Sequence, residues 1–217
     1  MDNPSGRFRD LTVDQFGTLL ASDTPAPGGG TASAIAASLA ADLVAMVAAL
    51  SENRPKYAPY ADTVARHGAA ARLLASELLD LADEDARVYD AFARAMKLPR
   101  DSDEEKAARS AAIRAAARDA AAVPLRTLEA CRAIVVASEA LAGRSNLNAA
   151  SDLAVASRLA EAGAHGAADN VLVNLPAMAD PVAAEEMTAR VTEILADVED
   201  LAESTRAHVE LGALREP

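Results

Sequence analysis

The chain has 217 residues, of which 51% are hydrophobic, 3% are aromatic and none is Trp, and its formal charge is −12. A strongly negative chain argues against a nucleic acid or an anionic membrane as partner, because both need a positive surface. The length suits one well-buried core and no linker marks a boundary, so we expect a single domain over residues 1–217. A core of Ala, Leu and Val favours closely packed helices.

The N-terminal half predicts three helices, and no run of alternating β-branched residues predicts a strand. Thr12 and Gln15 form a capping box that begins a short first helix. The second helix is expected over about residues 30–51 and the third over about residues 57–97, with prolines in the segments that separate them.

The C-terminal half predicts three more helices. The fourth begins with a capping box at Ser102, must bend at Pro124 and ends near Gly143. The fifth begins near Ser151, and the sixth begins at Asp180, which is followed by a first-turn proline. The sequence thus predicts an all-α bundle of about six helices. Since the third would be about 60 Å long, too long for a compact monomer, we expect a homodimer.

The second helix has the length of a membrane span. Its composition is dominated by Ala and Ser, however, and Asp42 lies near its middle, where a charge costs about 2.5–3.5 kcal/mol on insertion. We therefore interpret it as a buried core helix and expect no membrane association. The first ten residues lack the apolar run of a signal peptide, and Cys131 reads as a buried thiol, so we expect a cytoplasmic location.

One aspartate lies where a bundle helix should bury a hydrophobic residue. Small and apolar residues recur at steps of three and four from Ala71 to Ala95, and Asp85 falls on this inward stripe, whereas Asp83 and Glu84 fall off it and can be solvated. Burial raises the pKa of a carboxyl group toward the range that suits acid–base catalysis. The alternative is a structural aspartate that pairs with an arginine or a backbone amide on a facing helix.

Three consecutive glycines, Gly28, Gly29 and Gly30, directly precede the second helix. Glycines let the backbone approach a ligand closely, and the unpaired N–H groups of a helix start suit a carboxylate or a carbonyl oxygen. Neither a P-loop nor a dinucleotide fingerprint matches, because no Gly-Lys-Ser/Thr follows and no strand precedes. A flexible hinge after Pro27 is the alternative.

The fifth helix carries a second inward seam, in which four small residues are followed by Asn170 and Asn174 one turn apart. Amides at these positions can donate and accept hydrogen bonds, and Asn is otherwise a poor choice inside a helix. Tight helix packing explains the small residues but explains the two asparagines less well. The three histidines show no ligand spacing, so no metal site is expected.

Four segments in this order, TPAPGGGTASAIAA, LADEDARVYDAFARAMKLP, SNLNAASDLAVA and NVLVNL, resemble the cyclodeaminase/cyclohydrolase family, which includes the C-terminal domain of formiminotransferase-cyclodeaminase. The resemblance runs from about Leu11 to Leu201. It implies an all-α, dimeric enzyme that acts on one-carbon derivatives of tetrahydrofolate without a metal or a tightly bound cofactor. The catalytic aspartate that it implies is Asp85, in the segment DARVY.

The resemblance also implies binding residues for such a substrate. Asn170, Asn174 and the N–H groups near the three glycines become candidates to hold the pterin edge. Lys97, about 18 Å along the helix from Asp85, suits the glutamate tail of a folate, which can be polyglutamylated. Asn146 and Asp152, in the segment SNLNAASDLAVA, are further expected substrate-binding residues.

The resemblance leaves several functions open. The first is a formimidoyltetrahydrofolate cyclodeaminase, and the second is a 5,10-methenyltetrahydrofolate cyclohydrolase that uses the same aspartate. A candidate function of a different class is that of a non-catalytic helical dimer that binds folate or a protein partner. Asp42, His165 and Asp169 depart from the pattern of the family, and we expect them to alter the shape or the substrate of the pocket.

Overall fold

The computed structural model describes residues 6–216, and this part of the chain contains helices but no strand. The six α-helices are α1 (Val13–Leu20), α2 (Gly29–Ala49), α3 (Ala61–Met96), α4 (Asp103–Leu141), α5 (Ala150–Met178) and α6 (Pro181–Leu211). Three short 3₁₀ helices cover Phe8–Asp10, Pro55–Tyr60 and Leu147–Ala149. The predicted all-α fold with six helices is confirmed.

The helix starts follow the local chemistry of the sequence. The Thr12 hydroxyl accepts the N–H of Gln15, and the side chain of Gln15 accepts the N–H of Thr12, which completes the predicted capping box. The second box, at Ser102, forms in the same way. The third helix begins at Ala61 rather than near residue 57, because Pro55–Tyr60 forms a 3₁₀ helix that contains two prolines.

The helices form two layers around a core of small residues. In the first layer α2 lies between α3 and α5, and in the second α4 packs across both α3 and α5, with α6 against α4 and α5. The start of α2 meets the C-terminal half of α3, whereas Ala48 near its end meets Gly68, so these two helices are antiparallel. Ala37 of α2 meets Gly163 of α5. This arrangement places the N-terminus of α2 between the C-terminal halves of α3 and α5.

The second helix is a core helix, as predicted, although its length and composition also suit a membrane span. Half of its most apolar stretch is buried inside the bundle, against α3 and α5. Its outward face is apolar as well. Leu39 is 55% exposed and Met46 is 39% exposed, and Asp42 lies on the same side of the helix.

Candidate active site

A pocket of about 390 Å³ opens at the N-terminus of α2, where α3, α4 and α5 converge. It brings together six of the predicted site residues from three distant parts of the sequence, namely Gly28, Gly29, Gly30, Asp85, Asn170 and Asn174. Apolar side chains of α3 form one wall, and Val88, Tyr89 and Phe92 are the largest of them.

Asp85 is half-buried at the wall of this pocket. Burial raises the pKa of its carboxyl group, while the hydroxyl and the backbone amide of Thr31 act in the opposite direction. The hydroxyl donates a hydrogen bond of 2.9 Å to Oδ2 of Asp85. Among residues 6–216, no ion pair includes Asp85. Of the two partners that the structural alternative allowed, the arginine is therefore absent among these residues, whereas a backbone amide on a facing helix is present at Thr31.

The prediction that Asp83 is solvated is wrong. The residue is buried, with 9% of its surface exposed. The backbone N–H of Phe8 donates to its Oδ1 at 2.7 Å, and Nε of Arg7 lies 3.5 Å from its Oδ2. The N-terminal segment thus covers α3 at this point, which helical periodicity alone does not reveal. Asp83 serves the fold, and Asp85 faces the pocket.

Of the three glycines, Gly30 is the one that the site requires. A Cβ at Gly30 would overlap both carboxylate oxygens of Asp85 and would lie 2.8 Å from its Cγ. A Cβ at Gly29 would make only an ordinary contact of 3.7 Å with Nδ2 of Asn170, and one at Gly28 would lie 3.7 Å from a backbone oxygen. The absent side chain at Gly30 lets the carboxylate approach the positive end of the α2 dipole.

The two asparagines line the pocket from α5. Nδ2 of Asn170 donates to the carbonyl of Gly166 at 2.7 Å. Nδ2 of Asn174 donates to the carbonyl of Asn170 at 2.7 Å and, across the bundle, to the carbonyl of Ala120 at 3.0 Å. Both side chains are half-buried, so each has one face toward the pocket.

Lys97 does not line the pocket. It is exposed at the C-cap of α3, five residues beyond Phe92 or about 7.5 Å along the helix axis. Lys97 is therefore too far away to contact a ring bound in the pocket. An extended ligand that projects out of the pocket could reach it.

Asn146 and Asp152 do not line this pocket, and their role in substrate binding stays a prediction. Nδ2 of Asn146 donates to the carbonyl of Leu50, at the end of α2, whereas the pocket lies at its start. Asp152 lies in the first turn of α5, eighteen residues before Asn170 or about 27 Å along the helix. Within one chain, both residues lie at the opposite end of the bundle. The sequence segment that contains them matches the family without being near the pocket.

The residues that depart from the family pattern also lie outside the pocket. Asp42 is on the outward face of α2, where partial burial raises the pKa of its carboxyl group. His165 is exposed, with its Nε2 3.3 Å from Oε1 of Glu199 on α6, and Asp169 is exposed on α5. The expectation that these side chains alter the pocket is not supported by their positions.

Thr31 is the site residue that sequence reasoning overlooked. It is fully buried and follows the three glycines, in the first turn of a helix that is otherwise rich in Ala. A hydroxyl on the inward face of such a helix was the available signal, because a buried polar group needs a hydrogen-bond partner. Only the packing of α2 against α3 identifies that partner as Asp85.

The described residues offer few other reactive groups. Cys131 is buried, and burial raises the pKa of its thiol to about 12, which leaves it inert. Residues 6–216 contain no group of three His, Cys, Asp or Glu that could hold a metal ion. Two hollows, of about 630 Å³ and 600 Å³, are larger than the Asp85 pocket. Neither is lined by Asp85, Asn170 or Asn174.

One carboxyl group with a raised pKa, facing a pocket inside a helical bundle, is typical of an acid–base enzyme. Comparison with known proteins defines the class. Residues 12–193 match the family model described as formiminotransferase-cyclodeaminase. The chain belongs to this family, whose members are folate one-carbon enzymes.

Three relatives illustrate the range of the family. Methenyltetrahydrofolate cyclohydrolase of Methylorubrum extorquens is 37% identical over 186 residues, which cover 86% of this chain and 89% of the relative. Formimidoyltransferase-cyclodeaminase of Rattus norvegicus is 33% identical over 97% of this chain, which spans only 38% of that longer protein. The crystal structure of formiminotetrahydrofolate cyclodeaminase from Thermotoga maritima superposes with a TM-score of 0.84 at 26% identity, covering 93% of this chain and 97% of the other.

Proposed function

We propose that this protein is a formimidoyltetrahydrofolate cyclodeaminase, which converts 5-formiminotetrahydrofolate to 5,10-methenyltetrahydrofolate and ammonia. The observation that carries the proposal is Asp85, whose carboxyl group lies half-buried beside the N-terminus of α2 in a pocket of about 390 Å³. That volume lies within the range of small-molecule sites. The match to the Thermotoga maritima cyclodeaminase supports this choice.

The reaction needs a group that first accepts a proton and then donates one. N10 attacks the carbon of the protonated formimino group (–CH=NH2+) on N5, and a bond forms between N10 and that carbon as N10 loses its proton to the Asp85 carboxylate. The bond between this carbon and the former imino nitrogen then breaks, and ammonia leaves with the proton that Asp85 returns. A carboxyl group whose pKa is raised by burial suits both steps near neutral pH.

The remaining pocket residues bind and orient the substrate in this proposal. Asn170 and Asn174 contact the pterin ring, and the N–H groups at the start of α2 contact its oxygen or the developing charge. Lys97 contacts the glutamate tail where it leaves the pocket. The chemistry draws on the side chains of the protein and requires no bound cofactor.

A methenyltetrahydrofolate cyclohydrolase is the second candidate, and the Methylorubrum extorquens relative of that name favours it, because the match covers 89% of that protein. In this reaction water adds to the methenyl carbon and loses one proton to Asp85. The new hydroxyl then loses its second proton to solvent and becomes the formyl C=O, while the bond from this carbon to N5 breaks and Asp85 returns its proton to N5. The non-catalytic alternative is not retained, since the relatives are named as enzymes.

The two reactions differ in what happens to the methenyl chromophore. The purified protein should be given 5-formiminotetrahydrofolate and, separately, 5,10-methenyltetrahydrofolate, with the methenyl absorbance and free ammonia followed in both. A cyclodeaminase forms chromophore and ammonia in equal amounts from the first substrate. A cyclohydrolase bleaches the second without forming ammonia. Failure to turn over either substrate would contradict the proposed function.

We also propose that the protein is a homodimer formed through the outward face of α2. Leu39, Leu43, Met46 and Leu50 recur at steps of four, three and four, so they lie on one side of the helix. Three of them are exposed and Leu43 is half-buried. A contiguous apolar stripe of this kind indicates a protein interface, and a second copy of the chain presents the same stripe.

A further inference from the structure

Of the four side-chain N–H groups on the two pocket amides, three are already engaged, both of those on Asn174 and one on Asn170. Asn170 donates to the carbonyl of Gly166, and Asn174 donates to the carbonyls of Asn170 and Ala120. A backbone carbonyl can only accept a hydrogen bond, so the atom that faces it must be the amide nitrogen. The orientation of both amides is therefore fixed by the backbone around them.

The oxygens of these amides are left for a ligand. Among residues 6–216 no donor contacts Oδ1 of Asn170 or of Asn174, and neither oxygen is among the buried atoms that lack a partner. Both oxygens are thus at least partly exposed, on side chains that line the pocket. The polar side chains that line this pocket are the two asparagines, Asp85 and Tyr89. Three of these four present acceptors when Asp85 is ionised, so the pocket suits a ligand edge that carries N–H groups.

The carbonyl of Ala120 is available to Asn174 because of a proline. In a regular helix, the N–H of residue 124 would donate to the carbonyl of residue 120. Pro124 lies inside α4 and has no N–H, so the Ala120 carbonyl loses its helical partner. Nδ2 of Asn174 takes that place from α5, with its other hydrogen on the carbonyl of Asn170. The acceptor that Pro124 leaves free on α4 is thus used by the site.

We propose that Pro124 is a positioning residue: it holds the Asn174 amide with Oδ1 toward the ligand, so that the pocket receives the N–H-bearing edge of the bound ring. The identity of the ring rests on the proposed function. A tetrahydropterin carries such donors at its 2-amino group, N3 and N8. Pro124 is buried within the bundle and does not line the pocket, so it acts only through the orientation of the Asn174 amide.

The test begins with Pro124→Ala. Alanine restores the N–H that the Ala120 carbonyl lacks, so Asn174 loses the exclusive use of that acceptor and its amide is held chiefly by the one hydrogen bond to the carbonyl of Asn170. The expected result is a roughly fivefold weaker binding of tetrahydrofolate, the effect of about one hydrogen bond, with kcat changed less than KM. Thermal stability should stay equal or rise, because proline is unfavourable inside a helix. Unchanged affinity would overturn the proposal.

Pro176→Ala is the matched control, because Pro176 also lies inside a long helix but lines the hollow between α5 and α6 instead of the Asp85 pocket. It should leave the affinity for tetrahydrofolate near that of the unmodified protein. An equal loss of affinity in both variants would show that any helical proline has this effect and would also overturn the proposal.

Side-chain amide NMR separates this inference from the proposed reaction. In the ligand-free protein, the Asn174 amide protons should exchange slowly with solvent, and in Pro124→Ala they should exchange faster. Equal protection in the two proteins would contradict the role of Pro124, whatever the enzyme catalyses. On titration with tetrahydrofolate, the protons should remain protected while the 13Cγ resonance moves. Loss of protection on binding would show that the ligand takes the N–H groups and would overturn the assigned polarity.

Discussion

The hydroxyl of Thr31 donates a hydrogen bond to Oδ2 of Asp85 over 2.9 Å, linking two residues that are 54 positions apart. Thr31 is fully buried, and its neighbour Gly30 leaves the space that the carboxylate occupies. The hydrogen bond holds one carboxylate oxygen against α2. Because the donor favours the ionised form, it partly offsets the rise in the pKa of Asp85 that burial causes.

Replacement of Thr31 by Val should move the acid limb of the kcat/KM profile to higher pH. Valine keeps the shape of threonine but has no hydroxyl, so the ionised carboxylate loses a donor and the pKa of Asp85 rises further. Activity lost near neutral pH should be partly regained at higher pH. Thr31→Ser, which keeps the hydroxyl, should behave nearly as the unmodified protein does. A profile that does not move in Thr31→Val would refute the role of this hydrogen bond.

Asp85→Asn should lower turnover by at least about a hundredfold, because an amide cannot carry the proton. The folded protein should at the same time become more stable at neutral pH. Burial raises the pKa of Asp85 above its unfolded value, so its ionisation opposes folding as the pH rises through that raised pKa. Thermal unfolding at pH 7 and below about pH 4 measures this, with the advantage of the variant smaller at the lower pH. Near-normal turnover would remove Asp85 from catalysis.

Gly30→Ala should impair turnover far more than Gly29→Ala does. The new methyl group at position 30 would overlap the Asp85 carboxylate and displace it, whereas the one at position 29 only touches Nδ2 of Asn170 at 3.7 Å. A displacement of about 1 Å can cost on the order of a hundredfold in rate. Steady-state kinetics and thermal melts of both variants provide the comparison. Equal activity in the two would mean that the carboxylate adapts without cost.

Lys97→Ala should raise KM for a polyglutamylated folate and leave kcat nearly unchanged, because a contact to the tail is equal in the ground and transition states. An exposed ion pair of this kind is worth up to about 1 kcal/mol, or roughly fivefold. A monoglutamate substrate should be affected less. Lys56→Ala removes a charge beside Tyr57, near the end of α2 opposite the pocket, and serves as the control. A fall in kcat for Lys97→Ala would exclude the proposed direction of the tail.

Leu39→Asp should convert the proposed dimer to monomers in sedimentation velocity, since it places a second charge about one turn from Asp42, in the middle of the otherwise apolar outward face of α2. Leu211→Asp alters a leucine at the end of α6 that is 73% exposed, against 55% for Leu39, and should leave the assembly unchanged. If the unmodified protein sediments as a monomer, or if Leu39→Asp remains a dimer, the α2 face is not the interface.

Local chemistry was sufficient to predict the helices of this protein. The capping boxes at Thr12 and Ser102 and the cap at Asp180 act within four residues, so their residue types alone indicate where α1, α4 and α6 begin. The stripe on α3 also identified Asp85, because helical periodicity assigns a residue to a face without knowledge of what it meets.

Contacts between distant segments decided the rest of the site. Asp83 is buried only because Arg7 and Phe8 fold over it, more than 70 positions away in the chain. The family-like segment around Asn146 and Asp152 carries no sign that it packs at the far end of α2.

The hydrogen-bond partners of the pocket residues likewise could not be predicted from the sequence. Thr31 and Asp85 meet through the packing of α2 on α3, and Asn174 meets Ala120 through the packing of α5 on α4. A residue's own helix determines the face on which it lies. Its hydrogen-bond partner, and with it the pKa of a carboxyl group or the direction of an amide, depends on which helix is placed opposite at contact distance.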